Sequence, residues 1–305
     1  MKKKAAFVAV LGRPSVGKST LVNRMCGEKV AIVSAVPQTT RNAIRGIVNR
    51  EQGQLVFIDT PGRHSSEKKF NKKLAEVSGR ALGDADLILY VLDASRLPGP
   101  EEFGIAALIA PHSERVVVAV NKTDTDAAAF GTFLEFIAHD LPGINTNRCF
   151  PVSAKNGEGI EPLLAALYDM AGEGEPFYGD EIYTDQEVDF RIAEIIREQA
   201  INRLRQELPH ALYVEVADAQ LSEAGNSSGG LPCRQKLWVR AFIVVERESQ
   251  KGIVVGSGGS MIKAIRLAAL KELDALFDWK IELDLRVKTG KDWRHSDRTL
   301  RRLIK

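Results

Sequence analysis

The stretch GRPSVGKST, residues 12 to 20, constrains this chain more than any other. It matches GxxxxGK[ST] from Gly12 to Ser19, with an apolar run before it (AAFVAVL, 5–11) and a helix-like segment after it (18–26). In that setting glycines permit torsions that turn successive N–H groups inward as an anion nest, and the helix adds the positive end of its dipole. The strand–loop–helix context makes an α/β fold the expectation. Lys18 should reach the β- and γ-phosphates of a nucleotide, the Ser19 hydroxyl should ligate Mg²⁺, and Thr20 should lie nearer the α-phosphate. Arg13, Pro14, Ser15, Val16 and Gly17 complete the loop.

Short apolar runs recur downstream at 54–59, 86–93, 115–121 and 149–154, with a further strand expected near 43–50. Most are near-continuous, as buried parallel strands should be. Helix-like segments separate them at about 67–82, 101–110, 126–139 and 158–171. The alternation predicts a doubly wound, mostly parallel six-stranded sheet over residues 1–172.

The loop alone does not choose between adenine and guanine. NKTD (121–124) falls at the end of the VVVAV strand, where ligands bind in such sheets. The Asp124 carboxylate can accept from guanine N1–H and the 2-amino group, donors that adenine lacks. Asn121 is expected to tie this loop to the phosphate loop, and the stem of Lys122 to lie over the base. SAK follows the next strand, which places Ser153, Ala154 and Lys155 at the nucleotide and suits a backbone contact from Ala154 to the guanine oxygen. DTPG supplies Asp59, Thr60, Pro61 and Gly62; Asp59 would hold Mg²⁺ through water, and the Gly62 N–H would sense the γ-phosphate. PQTTR (37–41) offers a further magnesium ligand, Thr40 in preference to Thr39. Lys18, Thr40 and Gly62 are the expected catalytic contacts. Together these motifs resemble the translation-factor class of GTPases. Ras-like proteins place glutamine after the DxxG glycine, whereas Arg63 and His64 stand here, so slow intrinsic hydrolysis completed by a partner or an ion is expected.

The 305 residues suggest about two domains. The alternating pattern ends near Gly172, and residues 173–186, rich in Gly, Glu and Pro, read as a linker to a second domain over 187–305. That block reads as α+β. A strong helix is expected over about 185–207, stopped by Pro209, then strands ALYVEVAD and KLWVRAFIVVER around a flexible loop at 223–230, and a final strand KIELDLRVK. The net charge of +2 hides an asymmetry, because residues 231–305 carry 17 Lys and Arg against 9 Asp and Glu. A basic C-terminal third suits a polyanionic partner. Cys26, Cys149 and Cys233 are scattered, which argues against a disulfide framework or zinc site and for a reducing compartment. No run of about 18 apolar residues occurs, so no membrane span is expected. GSGG, comprising Gly256, Ser257, Gly258 and Gly259, leads into a helix carrying Lys263 and Arg266, with Lys251 just before it. In KH domains a GxxG loop clamps nucleic-acid backbone. On the residues alone, RNA binding and a plain α+β domain both remain open.

The whole chain resembles the Era family of bacterial GTPases. GRPSVGKSTLVN, PQTTR, DTPG, NKTD and SAK are similar to its G domain. RIAEIIREQ (191–199), VERESQKGIVVGSGGSMIKAI (245–265) and VKTGKDWR (287–294) are similar to its C-terminal type II KH domain. The resemblance implies GTP hydrolysis with Mg²⁺, and binding near the 3′ end of small-subunit ribosomal RNA during small ribosomal subunit assembly. It also implies a cytoplasmic protein with loose, peripheral association at the inner membrane. A monomer is expected. The resemblance makes QKGIVVG a short helix, although its β-branched residues read as a strand. Ser15 stands where the family usually has Asn, which helps bind a catalytic potassium ion in related GTPases, and this counts against potassium stimulation. Ser257 replaces the usual lysine of the GxxG loop, and residues 218–235 look longer than the usual turn.

Overall fold

The computed structural model describes residues 2–37, 39–61, 76, 79–125, 129–222 and 235–303. The chain forms two compact units, one of Met1–Val33, Pro37–Asp185 and Leu300–Lys305, the other of Ser34–Val36 and Gln186–Thr299.

The first unit is built on six strands: β1 (Lys4–Leu11), β2 (Ile44–Arg50), β3 (Gly53–Asp59), β4 (Leu87–Asp93), β5 (Val116–Asn121) and β6 (Cys149–Pro151). Their order is β2-β3-β1-β4-β5-β6, and only β2 runs antiparallel to its neighbour. Every residue of β3, β4 and β5 is buried, which explains their unbroken apolar runs. Helices α1 (Lys18–Cys26), α2 (Pro100–Ile109), α3 (Ala129–Asp140) and α4 (Ile160–Met170) belong to this unit. The parallel register brings Val10 beside Asp59, and Asp93 beside Asn121. All the chemistry-bearing loops therefore leave one carboxyl edge of the sheet. Residues 173–185, read in the sequence as linker, are bonded to β2 in this unit. Ile47 N donates to Tyr183 O at 2.9 Å, Thr184 Oγ1 to Arg45 O at 2.8 Å, and Arg45 pairs with Asp185 at 2.7 Å.

The second unit contains α5 (Val188–Ile201), α6 (Leu208–Ala211), β7 (Tyr213–Leu221), β8 (Lys236–Val245), α7 (Glu248–Val255), α8 (Ser260–Leu276) and β9 (Lys280–Thr289). The closing helix α9 spans Asp297–Leu303. The sheet order is β7-β8-β9, with β7 antiparallel and β9 parallel to β8. Along β8, Leu237, Val239, Ala241 and Ile243 point into the core while Trp238, Arg240 and Phe242 alternate outward. Ile265, Ala269 and Leu273, four residues apart on α8, pack into the same core.

Two local expectations are corrected and one is borne out. The helix expected over about 185–207 ends at Ile201, and Pro209 is the second residue of a separate helical turn, α6, where its missing N–H costs nothing. As the resemblance implied, QKGIVVG is helical in α7 as far as Val255: Gln250 Oε1 accepts from the N–H groups of Glu246 and Arg247 at 3.0 Å, and Val254 alone of the helix is fully buried. That cap and anchor override the β-branched preference. β7 runs on through Leu221, past Asp218 where the expected strand ends and into the 218–235 segment; the expected loop, 223–230, lies outside the described residues, as does most of the helix expected at 67–82.

Candidate nucleotide-binding site

The phosphate loop curls between β1 and α1, and its geometry follows from contacts that exclude side chains. Gly17, at φ +95°, precedes α1, and a Cβ there would sit 2.4 Å from Asn121 Nδ2. Asn121 fills that space and donates to Val16 O at 2.8 Å, while its Oδ1 accepts from Ala154 N at 3.0 Å. One side chain thereby joins the phosphate loop, NKTD and SAK. The Ala154 N–H, expected to meet guanine, is already engaged with Asn121; a base oxygen there would share or take over that bond. Arg24, in the last turn of α1, donates to the carbonyls of Ala154 at 3.0 Å and Lys155 at 2.5 Å. Ser153 is fully buried and donates to Asp124 Oδ1 at 2.8 Å, and Lys155 Nζ lies 3.9 Å from Asp124 Oδ2.

Lys18 is buried, and Nζ donates to the carbonyls of Gly12 and Arg13, each at 2.9 Å. Burial lowers its pKa to about 8, against the opposing pull of Asp59. Ser19, Thr40 and Asp59 converge. Ser19 Oγ donates to Asp59 Oδ2 at 2.6 Å and lies 2.9 Å from Thr40 Oγ1, which is 3.4 Å from the same carboxylate oxygen. Asp59 is fully buried at the end of β3, and its Oδ1 has no hydrogen-bond partner among the described residues. Burial raises the Asp59 pKa, opposed by Lys18 and the two hydroxyls. Three hard oxygens and an orphaned buried carboxylate oxygen fit a small dication such as Mg²⁺. Thr39 is buried, and its neighbour Thr40 places its hydroxyl in this oxygen cluster. Thr60 Oγ1 donates to Val10 O at 2.7 Å, which locks the strand end before Pro61. Pro14, Ser15 and Val16 form the loop turn, and Thr20 lies in the first turn of α1. Gly62, Arg63 and His64 lie outside the described residues.

A buried charge cluster beneath this loop was not foreseen from the sequence. Arg13 is enclosed by Asp93 and Glu102, and Asp93 also accepts from Lys122 at 2.8 Å. The one hint was an aspartate closing an apolar strand at the ligand-binding edge.

In the second unit the GxxG residues form a single 3-10 turn between α7 and α8. Gly256, at φ +75°, lies where a Cβ would come 2.8 Å from Met261 N, so the close turn needs glycine. Ser257, Gly258 and Lys263 are exposed. Lys251 pairs with Glu248 at 3.0 Å. Arg266 Nε donates to Leu283 O on β9 at 2.6 Å.

A six-stranded sheet with a phosphate loop, a magnesium-type oxygen cluster and a guanine-type NKTD–SAK pair defines a P-loop GTPase, here joined to a KH fold. Residues 7–122 match the 50S ribosome-binding GTPase family, and residues 207–294 match the KH domain family. GTPase Era of Treponema denticola is 47% identical over 98% of this chain and 99% of its own length. GTPase Era of Borreliella burgdorferi is 41% identical over 99% of both chains. A crystal structure of Era in complex with MgGDPNP and nucleotides 1506–1542 of 16S ribosomal RNA superposes with a TM-score of 0.89, at 30% identity and 98% coverage of each chain. Aquifex aeolicus Era, in a point variant bound to GDP and AlF₄⁻, gives the same TM-score, identity and coverage. The chain belongs to the Era family of GTPases.

Proposed function

We propose that this GTPase binds GTP with Mg²⁺ in its first unit, binds the 3′ region of small-subunit ribosomal RNA through its second, and acts in small ribosomal subunit assembly. The observation that carries the nucleotide half is the convergence of Lys18, Ser19, Thr40 and Asp59 at one strand edge. Bound Mg²⁺ would neutralise charge developing on the β- and γ-phosphate oxygens. Ser19 and Thr40 would offer hydroxyl lone pairs to it, and Asp59 Oδ1 would accept from its water. Lys18 would exchange its loop carbonyls for phosphate oxygens. Asp124, oriented by Ser153, would select guanine through two accepted hydrogen bonds. Loss of the γ-phosphate would release Thr40 and let its segment relax.

The RNA half is supported by the likeness to Era solved with 16S ribosomal RNA nucleotides and by an exposed GxxG turn opening a helix with Lys263 on its first turns. The test is RNA binding by the full chain, with a 16S 3′-end oligonucleotide, loaded either with a non-hydrolysable GTP analogue or with GDP. Tighter binding in the triphosphate state is expected. Equal affinity would refute the coupling, and no binding in either state would refute the RNA reading.

A further inference from the structure

Two residues that carry side chains sit in the left-handed region at the nucleotide site: Ser15 in the phosphate loop, at φ +63°, and Lys122 of NKTD, at φ +68°. Such conformations persist only where surrounding structure over-determines them. Here the restraint is visible. Lys122 Nζ donates to Ser15 O at 2.9 Å and to Asp93 Oδ2 at 2.8 Å. The same Asp93 oxygen accepts from Arg13 Nη2 at 3.3 Å, so one carboxylate oxygen ties the phosphate loop to the base loop. Asp93 Oδ1 is held separately by the backbone N–H of Ser95 at 3.0 Å and its hydroxyl at 2.6 Å, which fixes the carboxylate plane. Arg13 is backed by Glu102, whose other oxygen accepts from Gly99 N at 2.9 Å, the cap of α2. The Asp93 side chain is 2% exposed. Although burial opposes ionisation, the bonds from Lys122 and Ser95 hold its carboxyl below the usual range.

We infer that Asp93 is a positioning residue for nucleotide retention: through Arg13 and Lys122 it clamps the two strained turns that grip phosphate and base. The inference rests on the nucleotide reading above. It assigns Asp93 no contact with the nucleotide, so its loss should act through both loops at once. GDP and GTP should be affected alike, and the chemical step should be spared.

The test is stopped-flow release of mant-GDP from the full-length protein. Losing a buried charged hydrogen bond predicts about tenfold to 100-fold faster release in Asp93→Asn, with KM for GTP raised in proportion and kcat at saturation little changed. A merely structural charge cluster would lower Tm without that split. Arg13→Gln, which removes one arm of the clamp, should also accelerate release, and it carries the test if Asp93→Asn does not fold. In a Lys122→Met background the Asp93→Asn effect should shrink, because the Lys122 arm of the clamp is already lost and only the Arg13 arm is left to lose. Folded Asp93→Asn and Arg13→Gln proteins that release mant-GDP within about twofold of the parent rate would overturn the inference. Failure of the parent protein to bind mant-GDP would instead overturn the nucleotide reading.

Discussion

The Ser19 hydroxyl, in the first turn of α1, donates a 2.6 Å hydrogen bond to Asp59 Oδ2 at the end of β3. Two groups suited to a metal thus satisfy each other across the site, while Asp59 Oδ1 remains buried without a partner among the described residues. Coordination would replace one hydrogen bond and quench an orphaned oxygen. Ser19→Ala removes a ligand and leaves Asp59 less compensated. Mg²⁺-dependent tightening of GTP binding should fall by about 100-fold, since a metal contact to phosphate is worth several kcal/mol. Nucleotide binding in EDTA should change far less. Titrating mant-GTP with and without Mg²⁺ reads the difference, and equal losses in both conditions would count against a metal role.

Lys18 gives a pH signature. Its folded, nucleotide-free pKa is lowered by burial from 10.5 to about 8, and a phosphate partner would raise it again. Below pH 8 the ammonium is already present, so affinity should be flat. Above pH 8 each binding event must take up a proton, and affinity should weaken toward about tenfold per pH unit. The same lowered value means that the unfolded chain holds the extra proton between pH 8 and 10.5, so through this group the nucleotide-free protein gains stability as pH rises across that window. Calorimetry at pH 8.5 in buffers of different ionisation enthalpy should show proton uptake on GDP binding. Release, or no exchange, would contradict the assignment.

Asp124 is oriented before any base arrives, because Ser153 Oγ donates to its Oδ1 at 2.8 Å. Asp124→Asn keeps an acceptor for Ser153 but replaces one oxygen with a donor that faces the guanine amino group. GTP affinity should drop by about 10- to 100-fold, the worth of a charged hydrogen bond plus an unpaired donor, and XTP should gain. Competition of XTP and GTP against mant-GDP measures the switch. An unchanged preference would sink the base assignment.

The residues that were legible in the sequence are those whose chemistry fixes both type and spacing. Gly12 to Ser19, Asp59 and NKTD can sit only at strand ends for phosphate, metal and base to meet. The central strands were legible because burial on both faces demands unbroken apolar runs. Asp93, Glu102 and Arg24 were not, because a strand-end aspartate, a helix-cap glutamate and a helical arginine look the same whether solvated or paired. Only the parallel register, which brings Asp93 beside Asn121, reveals the first. Residues 173–185 read as linker from composition, yet backbone bonding to β2 needs no particular side chains. Arg266 reads as an RNA-binding residue on the helix after GxxG, and its bond to Leu283 O depends on the distant strand β9, which local sequence does not show.

Within the GxxG turn two glycines should respond differently. At Gly256, φ is +75° and a Cβ would meet Met261 N and Cβ at 2.8 Å, a clash with backbone that cannot swing aside. Gly256→Ala should therefore destabilise the second unit by about 1–3 kcal/mol, with RNA binding lost in step with folding. Gly258 has φ +56° and nothing within 4 Å of the place a Cβ would occupy, so the cost of a side chain there is torsional strain alone. Asp is among the residues that tolerate this region, so Gly258→Asp should cost only about 1 kcal/mol of stability. Its carboxylate would stand where phosphate is expected to approach, and RNA affinity should fall by about tenfold, more steeply at low salt, where screening is weakest. Thermal melts paired with filter binding at two salt concentrations separate the effects. A well-folded Gly258→Asp protein that binds the oligonucleotide at full strength would show that the phosphate backbone does not pass over this turn.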